Sequence, residues 1–471
     1  MDTTNNNQSE GTGKSKLARQ QYDCWKRLVP YLYDWFENHA LVWPSLSCRW
    51  GPILTLEEQD RFGIGQKVAK RTLDSGGKGG SFSMSQRRDD RRALYLSEQT
   101  DGSVMNTLVM AYVDVPKAKS SGLVHMPGNT SSSVKVVKTI VHPGEVNKVL
   151  DVPQHPHVVV THSDTPEVYV WNFNTQEDRS LDASKASDAA EASKPDITLV
   201  GHTEDAEFAL GTSDARAMVA SGGKDTNVLV WNIEGDMGKG NVSPDVILSG
   251  HTNTVEDVTF KPESWTEIAS VADDYSLMLW DTRSHETGPS MRVNKAHGEK
   301  DVHCVDWPGL QPHLLVTGAQ DGGVHVWDTR NLTAPVHVFH HHKEAVMNVE
   351  WSPHTGNVFA TGSDDGIVCI WDISKSQGEG VASQLNVPVP DQLVMQHAGH
   401  QSSVVDFCWN PDEPWTIMSA SVDVSSGKGG GTLQLWRVSD LVYKSEKEIM
   451  EELEPWREYI ATGDERYLVQ A

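Results

Sequence analysis

The sequence predicts an all-β fold: a closed ring of seven four-stranded sheets with one α-helix appended at its N-terminus. Two recurrences predict it. Five times a His stands 29 or 30 residues before a Trp that is followed by Asp or Asn: His142 and Trp171, His202 and Trp231, His251 and Trp280, His297 and Trp327, His342 and Trp371. A sixth pair, His400 and Trp436, is stretched to 36 residues. Within most of these units a Ser or Thr follows the His by 19 or 20 positions and an Asp follows it by 23 or 24. A period of this length marks stacked supersecondary units, none of which can bury its apolar face alone.

A His turn answered by a Trp-Asp dipeptide, once per blade, is the WD40 pattern of a β-propeller. The complete sets are His202, Ser221, Asp225 and Trp231; His251, Ser270, Asp274 and Trp280; His297, Thr317, Asp321 and Trp327; His342, Thr361, Asp365 and Trp371. They suit one buried relay. The Asp accepts the imidazole N–H, the imidazole meets the hydroxyl, and the hydroxyl meets the indole N–H. Buried polar groups must be paired, and a satisfied network fixes geometry. These residues are therefore expected to hold blades together, not to do chemistry or bind metal. The unit at His142 departs, with Thr165 at the Asp position and Asp164 beside it, so its relay should be looser.

In chain order, residues 1–16 are polar and expected to be a disordered tail. Residues 17–43 read as an amphipathic helix, since Tyr22, Trp25, Val29, Leu32, Tyr33, Phe36 and Ala40 keep a three-four rhythm. Pro30 should kink it or start a new turn. The propeller is expected over 45–445. Its first strand, 45–50, should close the ring against the segment around 433–438, which removes an exposed edge. Residues about 57–92, rich in Gly and Ser, read as a mobile insertion. Segments 93–97, 107–113 and 134–141 alternate like strands and supply a blade without a Trp-Asp signature, which brings the count to seven. Loops at 174–196, 374–396 and 424–431 interrupt the rhythm. Residues 446–471 read as an acidic helix and tail.

Composition narrows the function classes. Lys and Arg number 40 against 65 Asp and Glu, a net charge of −25. That balance argues against a nucleic-acid groove and for a cationic partner. The five Cys (24, 48, 304, 369, 408) are scattered without a Cys-x-x-Cys pair, which suits reduced thiols in an intracellular protein. No apolar run reaches about 18 residues, and the N-terminal residues lack the apolar core of a signal peptide. The expectation is a soluble cytoplasmic or nuclear protein, with no membrane association and no cofactor.

Other constellations are weak. Gly13-Lys14-Ser15 lacks the upstream Gly and strand of a phosphate loop, having Gln8 where Gly is needed. His340-His341-His342 is a poor metal set, because neighbours on a strand point oppositely. Arg87, Arg88, Arg91 and Arg92 form a broken basic cluster that suits either nuclear import or a solvated loop. No Ser-His-Asp or paired-carboxylate arrangement lies outside the repeats, so no enzyme is expected.

Several stretches together resemble one family: the HAL-x-WPSL run within Asp34–Leu46, Gly144-Glu145-Val146-Asn147, Gly250-His251-Thr252 with Val255-Glu256-Asp257-Val258, Trp280-Asp281-Thr282-Arg283, and Trp409-Asn410-Pro411 with Glu413-Pro414-Trp415. They resemble the MSI/retinoblastoma-binding family of histone-binding WD40 proteins over roughly 20–56 and 93–445. The Gly-rich insertion before Arg91 and the altered 374–396 loop resemble its plant FVE-type (MSI4-like) branch. The resemblance implies a nuclear, non-catalytic scaffold of repressive complexes, of histone deacetylase and Polycomb type, with a role that includes flowering time. It implies a top-face site for the histone H3 tail at Glu145, Asn147, Asp205 and Glu256. It also implies a side groove for the first helix of histone H4, offered by Tyr31, Leu32 and Trp35 with Leu393, Val394 and Met395. Ala345, Met347, His303 and Val422 depart from the family's usual top-face residues, so the later-blade half of that face is expected to be altered. Separately, Trp280-Asp281-Thr282-Arg283 and Trp327-Asp328-Thr329-Arg330 resemble the ending by which substrate receptors of cullin ubiquitin ligases bind their damage-binding adaptor. That makes a ligase receptor the alternative reading.

Overall fold

The computed structural model describes residues 22–64, 90–117, 134–180, 191–205, 208–236, 238–375, 389–422, 430–444, 447, 448 and 450. The expected tail at 1–16, most of the Gly-rich insertion, residues 376–388 and the acidic end beyond 450 lie outside them.

Seven antiparallel sheets follow one another along the chain. Blade 1 comprises Cys48–Ile53, Asp90–Glu98, Thr107–Val115 and Lys135–Val141, the blade without a Trp-Asp signature. Blades 2 to 6 begin with the innermost strands Lys148–Asp151, Leu210–Thr212, Val255–Phe260, Val302–Asp306 and Val346–Trp351. Blade 7 runs Val404–Trp409, Thr416–Val422 and Gly431–Val438, and its outermost strand is Tyr33–Leu41. The second and third strands of the blades are nearly continuous buried apolar runs, such as Val158–His162 and Met218–Gly222, because each is covered by a neighbouring blade on both faces. One strand is supernumerary. Gly240–Val242, from the loop of blade 3, pairs in parallel with Ile197–Leu199 and covers the outer edge of blade 2.

Ring closure differs from the expectation in one respect. The segment that joins the chain ends is Tyr33–Leu41, paired from Tyr33↔Val438 to Leu41↔Gly431. The 45–50 segment instead contributes to the innermost strand of blade 1, where Cys48 pairs with Leu96 and Trp50 with Leu94. The helix is correspondingly shorter than 17–43. It spans 22–32 among the described residues, and Pro30 sits in its last turn. Phe36 and Ala40 prolong the helical rhythm, but backbone pairing with the free edge of Gly431–Val438 overrides that local pattern. Trp35 thereby enters the core between blades 7 and 1, beside Cys48, Trp50 and Leu435.

Two further boundaries move. Residues of the expected mobile insertion are ordered at both its ends. Leu56–Arg61 forms a helix whose Thr55 and Glu58 make a capping box. Arg91 and Arg92 lie on the second strand of blade 1. Arg91 grips Asp114 at 2.7 Å, and buried Arg92 donates to the Gly51 carbonyl at 2.8 Å and pairs with Asp412. This half of the basic cluster is structural, while Arg87 and Arg88 lie outside the described residues.

Around the centre, polar side chains stitch one blade to the next. Ser47 Oγ accepts from the Val149 amide at 3.0 Å, Asp257 from Val305 at 3.0 Å, Asp306 from Trp351 at 2.7 Å and Glu350 from Trp409 at 3.2 Å. Asp406 closes the circuit. It accepts from the Cys48 amide at 2.9 Å, the Ser47 hydroxyl at 2.7 Å, Arg49 at 2.8 Å and Asn348 at 2.7 Å.

Burial pushes the Asp306 carboxyl up to about 7. A carboxyl whose folded value lies above its unfolded one holds a proton that unfolding releases. Its stability contribution is complete below about pH 4 and lost as pH rises towards 7. Asp306→Asn keeps an oxygen to accept from Trp351 and removes this titration. The melting temperature of the variant should therefore fall less than that of the wild type between about pH 4.5 and 7.5. Equal slopes in calorimetric scans across that range would show that Asp306 does not titrate there.

Candidate functional site

The repeated His, hydroxyl, Asp and Trp residues meet as expected in two blades. His251 Nδ1 donates to Asp274 at 3.1 Å, Ser270 bonds His251 Nε2 at 2.7 Å, and the Trp280 indole donates to Ser270 at 2.8 Å. His342, Asp365, Thr361 and Trp371 repeat this at 3.1, 2.7 and 3.0 Å. Burial alone would raise the Asp274 carboxyl, but hydrogen bonds from His251 and Ser276 hold it well below the usual range.

Other units depart. His202 keeps Asp225 and Ser221, each at 2.9 Å, yet the Trp231 indole donates to the Val200 carbonyl, and Ser221 is shared with His162. His297 and Trp327 share Thr317, but Asp321 accepts from the Gly323 amide instead, and among the described residues it makes no bond to His297. The His297 ring stacks on His325 at 3.8 Å, and burial with the two neighbouring histidines lowers it to about 2. In the unit at His142, Asp164 holds the Glu145 amide and the imidazole turns to the Gly144 carbonyl.

These relays anchor loops that form one end of the ring, its mouth. All the innermost strands are entered from this end, so the turns after each His and the turns between second and third strands lie together. A backbone clamp recurs between the two kinds of turn: Lys224 N to Asp205 O, Asp273 N to Thr254 O, Gln320 N to Asp301 O, Asp364 N to Ala345 O, and Val422 N to Ser403 O, at 3.0 to 3.2 Å. Just inside, four innermost strands carry a register break, between Val255 and Asp257, Val302 and Cys304, Val346 and Asn348, and Val404 and Asp406. The extra residues are Glu256, His303, Met347 and Val405. A bulge re-aims a side chain without ending the strand. The expected site residue Glu256 and the two departures His303 and Met347 are therefore equivalent positions in successive blades.

The expected top-face residues occupy these loops. Glu145 accepts from Gln99 at 2.7 Å, and Asn147 is buried. Asp205 pairs with Lys224 at 3.5 Å, and Glu256 shares a hydrogen bond with Asp273. Sequence reasoning missed Asp273, Asp301 and Asp364. The first two converge with His303, their ligand atoms within 4.8 Å of one another. Burial, then the charges of Asp301 and Asp274, push Asp273 up to about 6. The later-blade half of the mouth thus differs at Met347, Ala345 and Val422 but is rich in carboxylates.

On the side of the ring, the 22–32 helix turns Tyr22, Trp25, Val29 and Leu32 onto the cluster between blades 6 and 7. Trp25 donates to Tyr33 Oη at 2.8 Å, Tyr33 meets His397 at 2.5 Å, and His397 stacks on Trp436 at 4.3 Å. The other face presents Leu28 and Tyr31, which are 45% and 65% exposed. Of the expected groove residues, Tyr31 is available, Leu32, Leu393 and Val394 are half-buried, and Trp35 and Met395 are core. Leu28 escapes the sequence reading because its position breaks the rhythm of the inner face. Leu441 lies exposed on the neighbouring Asp440–Tyr443 turn of helix, whose Val442 and Tyr443 pack on the same cluster.

The two Trp-Asp-Thr-Arg endings adopt the same geometry. Arg283 Nε and Nη2 grip Asp281 at 2.9 and 2.7 Å, and Arg330 grips Asp328 at 2.9 and 2.6 Å. The Arg330 fork lowers Asp328 to about 2. Both guanidinium groups lie in solvent, while Trp280 and Trp327 are core.

The family model for the histone-binding protein RBBP4 and its counterpart in the CAF1 complex matches residues 20–117. The model described as "WD domain, G-beta repeat" matches residues 288–328, 333–372 and 391–437. The chain is also 40% identical, over 96% of its own length and 88% of the relative's, to the WD-40 repeat-containing protein MSI4 of Arabidopsis thaliana. Ring, helix and identity agree: the chain belongs to the MSI/RBBP4 family of WD40-repeat proteins, in its MSI4-like branch.

Proposed function

We propose that this chain is a nuclear histone-binding scaffold of chromatin-repressive complexes, of histone deacetylase and Polycomb type, that docks histones H3 and H4 and represses transcription, flowering-time genes included. The observation that carries this reading is the two-faced helix. One face is used up on the propeller, and Leu28 and Tyr31 remain for a partner within the segment that the histone-binding family model matches. An amphipathic helix of histone H4 is the fitting occupant, as helices commonly dock apolar grooves through a few anchors. Burial of a large side chain contributes about 1.5–3 kcal/mol. Leu28→Asp with Tyr31→Ala should therefore weaken binding of an H4 first-helix peptide at least about tenfold while the melting temperature holds. Calorimetric titration giving equal affinities for wild type and variant would remove the side groove as the H4 site.

The mouth suits an extended cationic tail, because Glu145, Asp205 and Glu256 sit on loops clamped at one end of a strongly acidic chain. Carboxylates there can take Arg and Lys by charge-assisted hydrogen bonds. Glu145→Lys with Glu256→Lys should abolish capture of an unmodified H3 tail peptide, and wild-type binding should weaken as salt rises. Salt-insensitive anisotropy that survives the double variant would place the tail elsewhere.

A second reading, that the chain is a substrate receptor of a cullin ligase, is favoured by one observation. Two consecutive blades present the same exposed Asp-Arg fork. A planar guanidinium offers donors that Lys does not copy. If the forks dock the ligase's adaptor, Arg283→Ala with Arg330→Ala should cut co-precipitation of the adaptor and spare histones and deacetylase. Retention of the adaptor would leave the forks as strand ends only, since exposed substitutions usually change stability by no more than about 0.5 kcal/mol.

A further inference from the structure

We propose that Asp273, Asp301 and His303 form a binding site for one divalent transition-metal cation of the zinc class at the mouth of the propeller. The site joins two blades. Asp273 lies in the turn after Glu267–Ala272 of blade 4, and Asp301 and His303 lie at the entry to Val302–Asp306 of blade 5. One ligand atom from each residue falls within 4.8 Å of the others, close enough for a single ion to touch all three.

Three further observations point to a cation. First, the His303 Nδ1 is withdrawn from solvent and has no hydrogen-bond partner among the described residues. A buried ring nitrogen left unmatched calls for a missing partner, and a bound ion beside it is one. Second, neither Asp273 nor Asp301 has a Lys or Arg partner among the described residues, while the nearby Arg292 reaches Asp274, at 3.6 Å. The like charges crowd one another, which is why Asp273 is pushed up, and a cation relieves that crowding. Third, the backbone holds the ligands in place beforehand. Asp273 N is bonded to Thr254 O, Asp301 O to Gln320 N, and the bulge at His303 turns its ring out of the normal strand register.

The donor set selects the ion. Two carboxylates and an imidazole suit borderline ions such as Zn²⁺ or Co²⁺, whereas Ca²⁺ and Mg²⁺ prefer oxygen alone. Three protein ligands leave at least one position for water or for a group brought by a partner. The inference is independent of the histone reading, since no peptide enters its test.

The test uses the full chain, freed of metal with a chelator. Zn²⁺ is titrated by calorimetry, and Co²⁺ by the visible absorption it gains on binding nitrogen and oxygen ligands. The expected result is saturation at one ion per chain. Losing only a hydrogen-bond partner that orients a ligand typically weakens metal sites about 10–100-fold, so loss of a ligand itself in His303→Asn or Asp301→Asn should cost at least about tenfold. His340→Asn with His341→Asn, in the His-rich strand end of blade 5 and the turn after it, should change nothing. No saturable binding in the wild type overturns the proposal. So does binding that survives both ligand variants, or binding that is lost in the His340/His341 control instead. If His303→Asn lowers the melting temperature, Asp301→Asn decides, because an amide there keeps the shape and leaves the Asp301 carbonyl clamp untouched.

Discussion

A ring of sheets depends on one joint more than on any other, the seam where the two ends of the chain meet. Six junctions between blades are made by residues close in sequence. The seventh must bring Tyr33–Leu41 onto Gly431–Val438 across nearly the whole chain. Loop-closure entropy opposes such a contact, though it grows only slowly with length. Backbone pairing along the strand answers it, and so does Asp406. This single carboxylate accepts from Ser47, Cys48 and Arg49 on one side of the seam and from Asn348 on the other. Breaking a buried, multiply bonded charge is costly because its partners are left unpaired. The rigidity of the mouth and the placement of the helix both follow from this closure. The helix leads directly into the closing strand, and Tyr33 ties them through Trp25 and His397.

The same repetition that builds the ring spaces its chemistry. In four blades a bulge on the innermost strand and a backbone clamp between adjacent turns recur at equivalent positions. The backbone geometry repeats from blade to blade, and the side chains do not. Glu256, His303, Met347 and Val405 fill one kind of position with a carboxylate, an imidazole, a thioether and an aliphatic group. A surface of this kind carries a different recognition element in each sector while its geometry stays constant.

Much of this is legible in the sequence, and the reasons differ by element. Blade number and the His–Trp units are readable because a fixed period survives insertions. The second and third strands are readable because each is an apolar run between turn residues. The end of the helix is not. Tyr33, Phe36 and Ala40 satisfy a helical period as well as a strand's burial, and the deciding factor is an unpaired edge some four hundred residues away in sequence. For the same reason Trp35, expected in a groove, belongs to the seam. Asp321 and Trp231 have the right spacing but find other partners, since spacing fixes proximity and not which of several nearby acceptors is used. Leu28 is hidden because a helix packed on one side still exposes apolar residues on the other. Asp273 escapes notice because it stands 28 and 30 residues from Asp301 and His303, and only the stacking of blade 4 on blade 5 brings them together.

The titratable groups divide into two populations, and the division accounts for how an acidic chain can be both stable and adhesive. Those of the relays and the centre are buried and bonded. His142 is lowered to about 4 and His397 to about 3 by burial, so these imidazoles stay neutral at physiological pH and act as fixed donors and acceptors. The carboxylates of the mouth are only partly buried, repel one another and, at Asp273 and Asp301, lack a basic partner among the described residues. Repulsion of this kind opposes folding locally, and the relays and clamps beneath it supply the opposing rigidity. It is relieved when a cation arrives, whether an ion or a side chain. Part of the free energy of binding at the mouth is therefore already stored in the free protein as unrelieved charge. That leaves the surface poised for cationic ligands and unreceptive to anionic ones such as nucleic acid.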